Sequence, residues 1–322
     1  MSRIILGIEI GGTKLQLGLG TPEGELIALH QGYVDAEGGG KWIRRWLIKQ
    51  IPEFIENSGY PHDQVAAIGC GFGGPIERKV GRVLVSNQIS GWHGFPLKQW
   101  LAETFRLPVW VENDSNAAAW GEYHNGFGKG TQHFFYTNLG SGVGGGLVLN
   151  GELYDGQGFG AGEFGHTYVP DLRGPSSGLP VKIEQICSGW AIEHRLRQPG
   201  YVPKNSGLIR LVAGDISMLN VRHLAEAAVA GDRFALSEID FVAHTLGIGL
   251  ANVLSLTNVE RIAIGGGVSN LGDLLLDPVR DYTKRYAFIS SQGRYQIQQS
   301  ELGDKIVLVG AILLAKQVMR DA

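Results

Sequence analysis

The sequence predicts an α/β protein built from two similar halves. Two glycine hairpins and a regular alternation of strand-like and helix-like runs carry that prediction. Near the start, RIILGIEIGGTKLQLGLG leads Ile4, Ile5, Leu6 and Ile8 into Gly11-Gly12-Thr13-Lys14, and a second apolar run (Leu15, Leu17, Leu19) follows at once. At 134–154 the plan returns as FFYTNLGSGVGGGLVLNGELY, with Gly140-Ser141-Gly142 at the turn. A Gly-Glu-Leu triplet follows each copy, at 24–26 and at 151–153. Self-similarity over so long an interval is what two halves built alike would leave.

Taken in order, residues 4–8 and 15–19 read as paired strands, and 25–34 continue the meander. Residues 41–56 have helical spacing, with Trp42, Ile43 and Trp46 on an apolar stripe, and Pro52 is expected to kink or end that helix. Strands are expected at 65–70, 83–85 and 109–111, then a helix from Asn113 through Ala117, Ala118 and Ala119. The second half opens with the hairpin at 134–150, followed by a long loop and a mostly helical region over 183–258. Within it, 241–256 is strongly apolar and expected to be buried. A short strand at 262–264 feeds Gly265-Gly266-Gly267, and 306–318 reads as a strand-to-helix close.

Composition narrows the function classes. A chain of 322 residues, 43% hydrophobic, has room for two domains with substantial cores. Net charge is -3, from 28 basic and 31 acidic residues that are interspersed, which argues against a nucleic-acid or anionic-membrane partner. Cys70 and Cys187 are too few for a disulfide framework and read as buried reduced thiols. No signal peptide or membrane-length apolar span is evident, so the cytoplasm is the expected location.

The glycine hairpins point to phosphate. Glycines let backbone N–H groups approach an anion, and Thr13 and Lys14 add a hydroxyl donor and a charge. The spacing is not that of the Walker loop, which requires a following helix, and a hairpin alone is also consistent with a plain tight turn. Asp114 stands where a strand gives way to a helix, a place that lines the ligand crevice of open α/β sheets. An aspartate there suits a general base for phosphoryl transfer, and equally suits the N-cap of the alanine-rich helix.

Six segments in order resemble the ROK family (repressors, uncharacterised reading frames and kinases) of the actin-like ATPase superfamily. They are GIEIGGTK at the start, GCGFGGPIERKVGRVLVSNQISGW at 69–92, VENDSNAAAWGE at 111–122, TNLGSGVGGG at 137–146, GAGEFGH at 160–166 and IAIGGGVS at 262–269. The resemblance runs almost end to end. It implies a two-domain actin-like ATPase (ribonuclease H-like) fold with an interdomain cleft. Residues 1–118 with about 307–322 would form the small domain and 119–306 the larger one. It implies ATP-dependent phosphorylation of a hexose, glucokinase-like and on the 6-hydroxyl, with Mg²⁺, and a homodimer.

By the same resemblance, Asp114 is the general base. Asn87, Asn113, Glu163, His166 and Glu184 contact the sugar, the last because Ser188-Gly189 follows it at the family's interval. Gly11, Gly12, Thr13, Lys14, Gly140, Ser141 and Gly142 hold phosphates, Glu9 lies beside Mg²⁺, and Gly265, Gly266 and Gly267 meet adenosine. Each has a plainer alternative: a loop-ordering polar pair at Glu163 and His166, a solvated helix residue at Glu184, and a ligand-free turn at 265–267.

The departures matter as much. Many family members hold zinc with the histidine of the ExGH motif and three nearby cysteines. Here 174–183 reads GPSSGLPVKI, so no zinc is expected. Ser141 replaces the usual threonine and keeps its hydroxyl. Glu9 replaces the usual aspartate, which lengthens the carboxylate by one methylene. Two alternatives to a glucokinase-like enzyme stand beside it, a catalytically impaired sugar sensor and a kinase for another hexose (fructose, mannose, allose or an N-acetylhexosamine). A repressor of this family would carry a DNA-binding segment ahead of the first phosphate strand, which begins here at residue 4.

Overall fold

The computed structural model describes residues 3–35, 37–86, 89–173 and 179–319. The chain opens with β1 (Ile4–Ile10), β2 (Lys14–Gly20) and β3 (Leu26–Tyr33), then α1 (Gly39–Asn57) and β4 (Val65–Phe72). Two short strands, β5 (Ile76–Glu77) and β6 (Arg82–Val83), precede α2 (Leu97–Phe105), β7 (Val109–Asn113) and α3 (Asp114–Asn125). Next come β8 (Phe134–Leu139), β9 (Val143–Leu149), β10 (Glu152–Leu153), β11 (Tyr168–Pro170) and β12 (Pro180–Lys182). The helical stretch follows as α4 (Ile183–Cys187), α5 (Gly189–Leu196), α6 (Gly207–Leu211), α7 (Val221–Val229) and α8 (Arg233–Thr257). The chain closes with β13 (Arg261–Gly265), α9 (Asp273–Tyr286), β14 (Gln296–Gln299) and α10 (Ile306–Ala315).

Two compact units result. The first holds Met1–Gly130, Gly146–Gly162 and Glu301–Ala322, and the second holds Thr131–Gly145 and Glu163–Ser300. All of α3 belongs to the first unit. The two sheets run in the orders β3-β2-β1-β4-β7 and β10-β9-β8-β13-β14. Counted within each sheet, both read third, second, first, fourth, fifth. The repeat seen in the sequence is thus a repeat of topology: a glycine hairpin and a third strand, then parallel strands added at the first strand's free edge.

In the first unit, period-2 alternation sends Ile8, Ile10, Leu15, Leu17 and Leu19 to one face, packed with Ile43, Leu47 and Ile51 of α1. The other face is stripped of side chains where α10 lies on it. A Cβ on Gly69 would sit 1.9 Å from the Ala311 carbonyl, and one on Gly310 would sit 1.7 Å from the Ala117 carbonyl of α3. Those two glycines let α10 run between the sheet and α3 at backbone contact distance.

Four expectations need correction. The run 306–318 has no strand: it is α10 and a short 3-10 turn at Lys316–Val318. A helix covered on both sides is apolar all round, and its sequence cannot be told from that of a buried strand. The helix α1 passes through Pro52 and ends only after Asn57. Pro52 and Ile48 lie on the exposed face, where water reaches the carbonyl that proline leaves unbonded. The strand expected at 83–85 is only Arg82–Val83. Finally, α8 is long and apolar enough to cross a bilayer by length and composition, although it is mostly buried. Its exposed residues lie toward its two ends, among them Leu236 at 40% and Leu256 at 86%.

The helix α8 is also pinned by charge. Fully buried Glu238 accepts from Arg173 Nη1 at 2.6 Å, Arg195 Nε at 2.8 Å and the Tyr201 hydroxyl at 2.7 Å. A buried carboxylate matched by two guanidiniums marks a helix made for a protein interior.

Candidate active site

The first unit gathers Glu9, the Gly11–Lys14 turn, Asn113 and Asp114. The turn closes when the Gly11 N–H donates to the Lys14 carbonyl at 3.0 Å. The capping question at α3 is settled by geometry. Asn113, in an extended conformation, accepts from the N–H groups of Ser115 and Asn116 at 2.9 and 3.1 Å. Asp114 is the first helical residue, and its Oδ1 accepts from the Ser115 N–H at 2.7 Å. Its Oδ2 turns the other way: a Cβ on Gly73 would lie 3.4 Å from that oxygen and 3.6 Å from the Gly11 Cα. The carboxylate therefore stands beside the first glycine turn.

Asn113 is more occupied than expected, since its Nδ2 also donates to the Gly74 carbonyl at 3.1 Å. One amide hydrogen remains for a ligand. Below it, buried Glu112 accepts from the Asn113 N–H at 3.1 Å and pairs with Arg78 Nε at 2.9 Å. Burial raises the Glu112 carboxyl above its usual range, against the pull of Arg78.

Glu9 is held in an unusual electrostatic setting. Burial pushes its carboxyl up to about 7, Lys14 pulls it down, and Asp114 and Asp304 push it further up. Its Oε2 is buried with no hydrogen-bond partner. A divalent cation would relieve all three: it would pair the orphan oxygen, offset the repulsion from Asp114 and favour the ionised form. Among the described residues no cluster of three or more His, Cys, Asp or Glu could hold a metal alone. That suits magnesium, which takes one or two carboxylates and completes its shell with water and phosphate oxygens.

The second unit gathers the other hairpin, Glu163, His166, Glu184 and Gly265–Gly267. The Gly140 N–H donates to the Gly142 carbonyl at 2.9 Å, and the Gly189 N–H donates to the Gly140 carbonyl at 2.7 Å. Glu184 braces the same turn, its Oε2 accepting from the Val143 N–H at 2.9 Å. Glu163 precedes a 3-10 turn at Phe164–His166 and His166 ends it, and both are exposed. His166 Nδ1 lies 3.1 Å from Lys182 Nζ. An ammonium only donates, so Nδ1 accepts, and the neutral ring carries its proton on Nε2. Cys70 and Cys187 are both buried, and burial raises both thiols. Asn87 lies outside the described residues.

A cavity of about 730 Å³ opens beside this hairpin, lined by Gly140, Ser141, Trp190, Arg222, Gly267 and Asn270 among others. The three glycines divide their tasks. A Cβ on Gly265 would meet the Tyr136 hydroxyl at 2.5 Å, and Gly266, at φ +83°, is pressed against the Leu139 backbone. Only Gly267 faces open space, and only it lines the cavity. Trp190, Arg222 and Asn270 escaped the sequence reading, and so did Lys182. Tertiary structure brings them in from separate elements, and none belongs to a motif.

Comparison with known proteins agrees with this frame. The chain is 34% identical over 319 residues to the glucokinase of Halalkalibacterium halodurans, covering 98% of this chain and 96% of that one. It is 33% identical over 316 residues to the glucokinase of Thermotoga maritima, covering 97% of each. Among solved structures, a ROK family glucokinase from Streptomyces griseus in complex with glucose and AMPPNP superposes with a TM-score of 0.82 at 34% identity, covering 98% of this chain and 99% of that one. The ROK family profile matches residues 5–318. With the fold of that glucokinase and a family match over nearly its whole length, the chain belongs to the ROK family.

Proposed function

We propose that this chain transfers the γ-phosphoryl group of ATP to a hexose hydroxyl, with glucose as the first candidate and its 6-hydroxyl as the acceptor. The observation that carries the proposal is Asp114: Asn113 does the capping, which leaves one Asp114 oxygen turned to the first glycine turn. The full-length similarity to glucokinases supports the substrate class.

In this reading Asp114 Oδ2 accepts the proton of the sugar hydroxyl as its oxygen attacks the γ-phosphorus, and the bond to the β-phosphate oxygen breaks to release ADP. Glu163, His166 and the free hydrogen of Asn113 grip sugar hydroxyls, His166 donating from Nε2. Glu184 orients the second hairpin and keeps Oε1 for the sugar. The turns at Gly11–Lys14 and Gly140–Gly142 cradle the phosphates, and the cavity that Gly267 lines takes adenosine. Magnesium, held by Glu9 and the phosphates, would neutralise charge on the phosphoryl oxygens. Two reduced cysteines agree with a cytoplasmic location, and a homodimer is proposed from the family resemblance, to be checked by light scattering.

The test is ADP release across a panel of hexoses, with the Asp114→Asn variant beside the wild type. Turnover that needs a hexose and vanishes in the variant supports the proposal; turnover that survives the substitution overturns the assignment of the base. One observation favours the sensor as a second reading. A Glu9 carboxyl that titrates near 7 is only partly ionised at neutral pH, which weakens metal binding. Sugar binding with no ADP release at any Mg²⁺ concentration would establish that alternative.

A further inference from the structure

Gln16 sits in β2 directly across from Glu9 in the antiparallel β1–β2 pairing, so the two side chains share a face of the sheet. It is fully buried, and neither its Oε1 nor its Nε2 has a hydrogen-bond partner. The partner position holds the equally buried, unpartnered Oε2 of Glu9. On the other side of Gln16, Gln31 of β3 is its cross-strand partner, and Lys14 precedes it on the same face of β2, yet Gln16 is hydrogen-bonded to neither. Gly7 and Gly18 come next along the strands, under Leu308 and Ile312 of α10. A primary amide without a partner is a group that folded proteins ordinarily avoid burying. An aliphatic residue of the same size would pack there at lower cost.

We propose that Gln16 is a positioning residue for the magnesium ion that accompanies the nucleotide: with Glu9, its carboxamide holds the water shell of that ion. The proposal rests on the reading of Glu9 as the magnesium-side carboxylate. Magnesium gives up its waters reluctantly, and those waters donate hydrogen bonds outward. The amide oxygen can accept from one, and the amide hydrogens can donate to a neighbouring oxygen. Glu9 is longer by a methylene than the aspartate usual in the family, and a second buried polar group across the strand pair helps fix where that longer arm holds the shell.

The experiment uses the full-length chain and ADP as probe. Calorimetry measures ADP affinity with MgCl₂ and with EDTA, giving the gain due to magnesium, for wild type, Gln16→Leu, Gln16→Met and Glu9→Gln. Thermal melts in EDTA accompany each. The Gln16 variants are expected to melt at or above the wild type and to lose about tenfold of the magnesium-dependent gain, the scale of outer-shell partners. Full retention of that gain in either folded variant overturns the proposal, and so does a lower melting temperature with the gain intact, which would mark a packing role. Glu9→Gln separates the two claims. If it keeps the gain, the reading of Glu9 fails and takes the proposal with it; if it loses the gain while the Gln16 variants keep it, only the proposal fails.

Discussion

The two glycine hairpins share a frame and differ in chemistry. Each joins two strands through a three-residue turn, and each sheet extends from its hairpin in the same order. Position by position, Glu9 of the first matches Asn138 of the second, Lys14 matches Val143, and Gln16 matches Gly145. Asn138 spends its oxygen inside its own hairpin, accepting from the Gly144 N–H at 2.7 Å, and Glu184 binds the next strand's N–H from outside. The second turn is thus stitched by one side chain of its own and one from α4. In the first, Glu9 and Gln16 keep buried polar atoms without partners, next to Lys14 and Asp114. The second hairpin has its polar groups satisfied within the protein, and the first keeps buried polar atoms unsatisfied.

The sharpest way to break that contrast is to remove the base. Asp114→Asn keeps the shape beside Gly73 and Gly11 but cannot take a proton. The rate of hexose phosphorylation should fall by roughly 10²–10⁴-fold while ADP affinity changes little. A loss of ADP binding of similar size would move Asp114 from catalysis to nucleotide binding.

Next in size is the stored cost of Glu9. In the unfolded chain its carboxyl titrates at 4.5, and in the folded chain at about 7. The folded state therefore holds the proton more tightly, and its advantage is full below 4.5 and lost as pH rises through 7. Integrated over that window, ligand-free wild type gives up on the order of 3 kcal/mol. Glu9→Gln has nothing to ionise there. Denaturant titrations in EDTA should show it gaining on wild type between pH 4.5 and 7 and holding a constant lead above. Parallel curves for the two proteins would sink the reading of Glu9 as a buried carboxyl left unsatisfied in this hairpin.

How much of this was legible depended on whether the signal was local. Both hairpins were readable because each is two alternating apolar runs around a glycine turn, and Asp114 because it marks the step from β7 to α3. The final helix was not, because the sheet and α3 cover it on both sides and leave no amphipathic period. Only coordinates could divide the work of Asn113 and Asp114, since either residue type serves as an N-cap. Gln16 drew no reading from the sequence, because only the fold buries it without a partner. Lys182 meets His166 from 16 residues away, and no spacing rule announces an exposed lysine.

A smaller effect tests the stitched hairpin. Asn138→Ala removes the acceptor for the Gly144 N–H and should cost about 1 kcal/mol of stability, the usual worth of such a bond. That cost should not vary between pH 4.5 and 7, in contrast to Glu9→Gln. A pH-dependent difference would mean that the second turn also carries charge.

The smallest expected change is the most specific. Lys182 Nζ is a donor at His166 Nδ1, and both side chains are open to water, so the pair contributes little to stability. Its effect is on which nitrogen carries the proton. In the wild type, ¹⁵N shifts of His166 should report a ring protonated on Nε2. Lys182→Met should return the ring to a mixture of tautomers and raise the KM for hexose a few-fold, leaving kcat and the KM for ATP nearly unchanged. Lys182→Arg, which keeps a donor, should restore much of the loss. The second unit would then reach the sugar through a histidine whose proton is set by a single lysine, whereas in the first Glu9 Oε2 stays buried without a hydrogen-bond partner. If the tautomer ratio does not move in Lys182→Met, the ring is oriented by its backbone turn alone, and the lysine is merely adjacent.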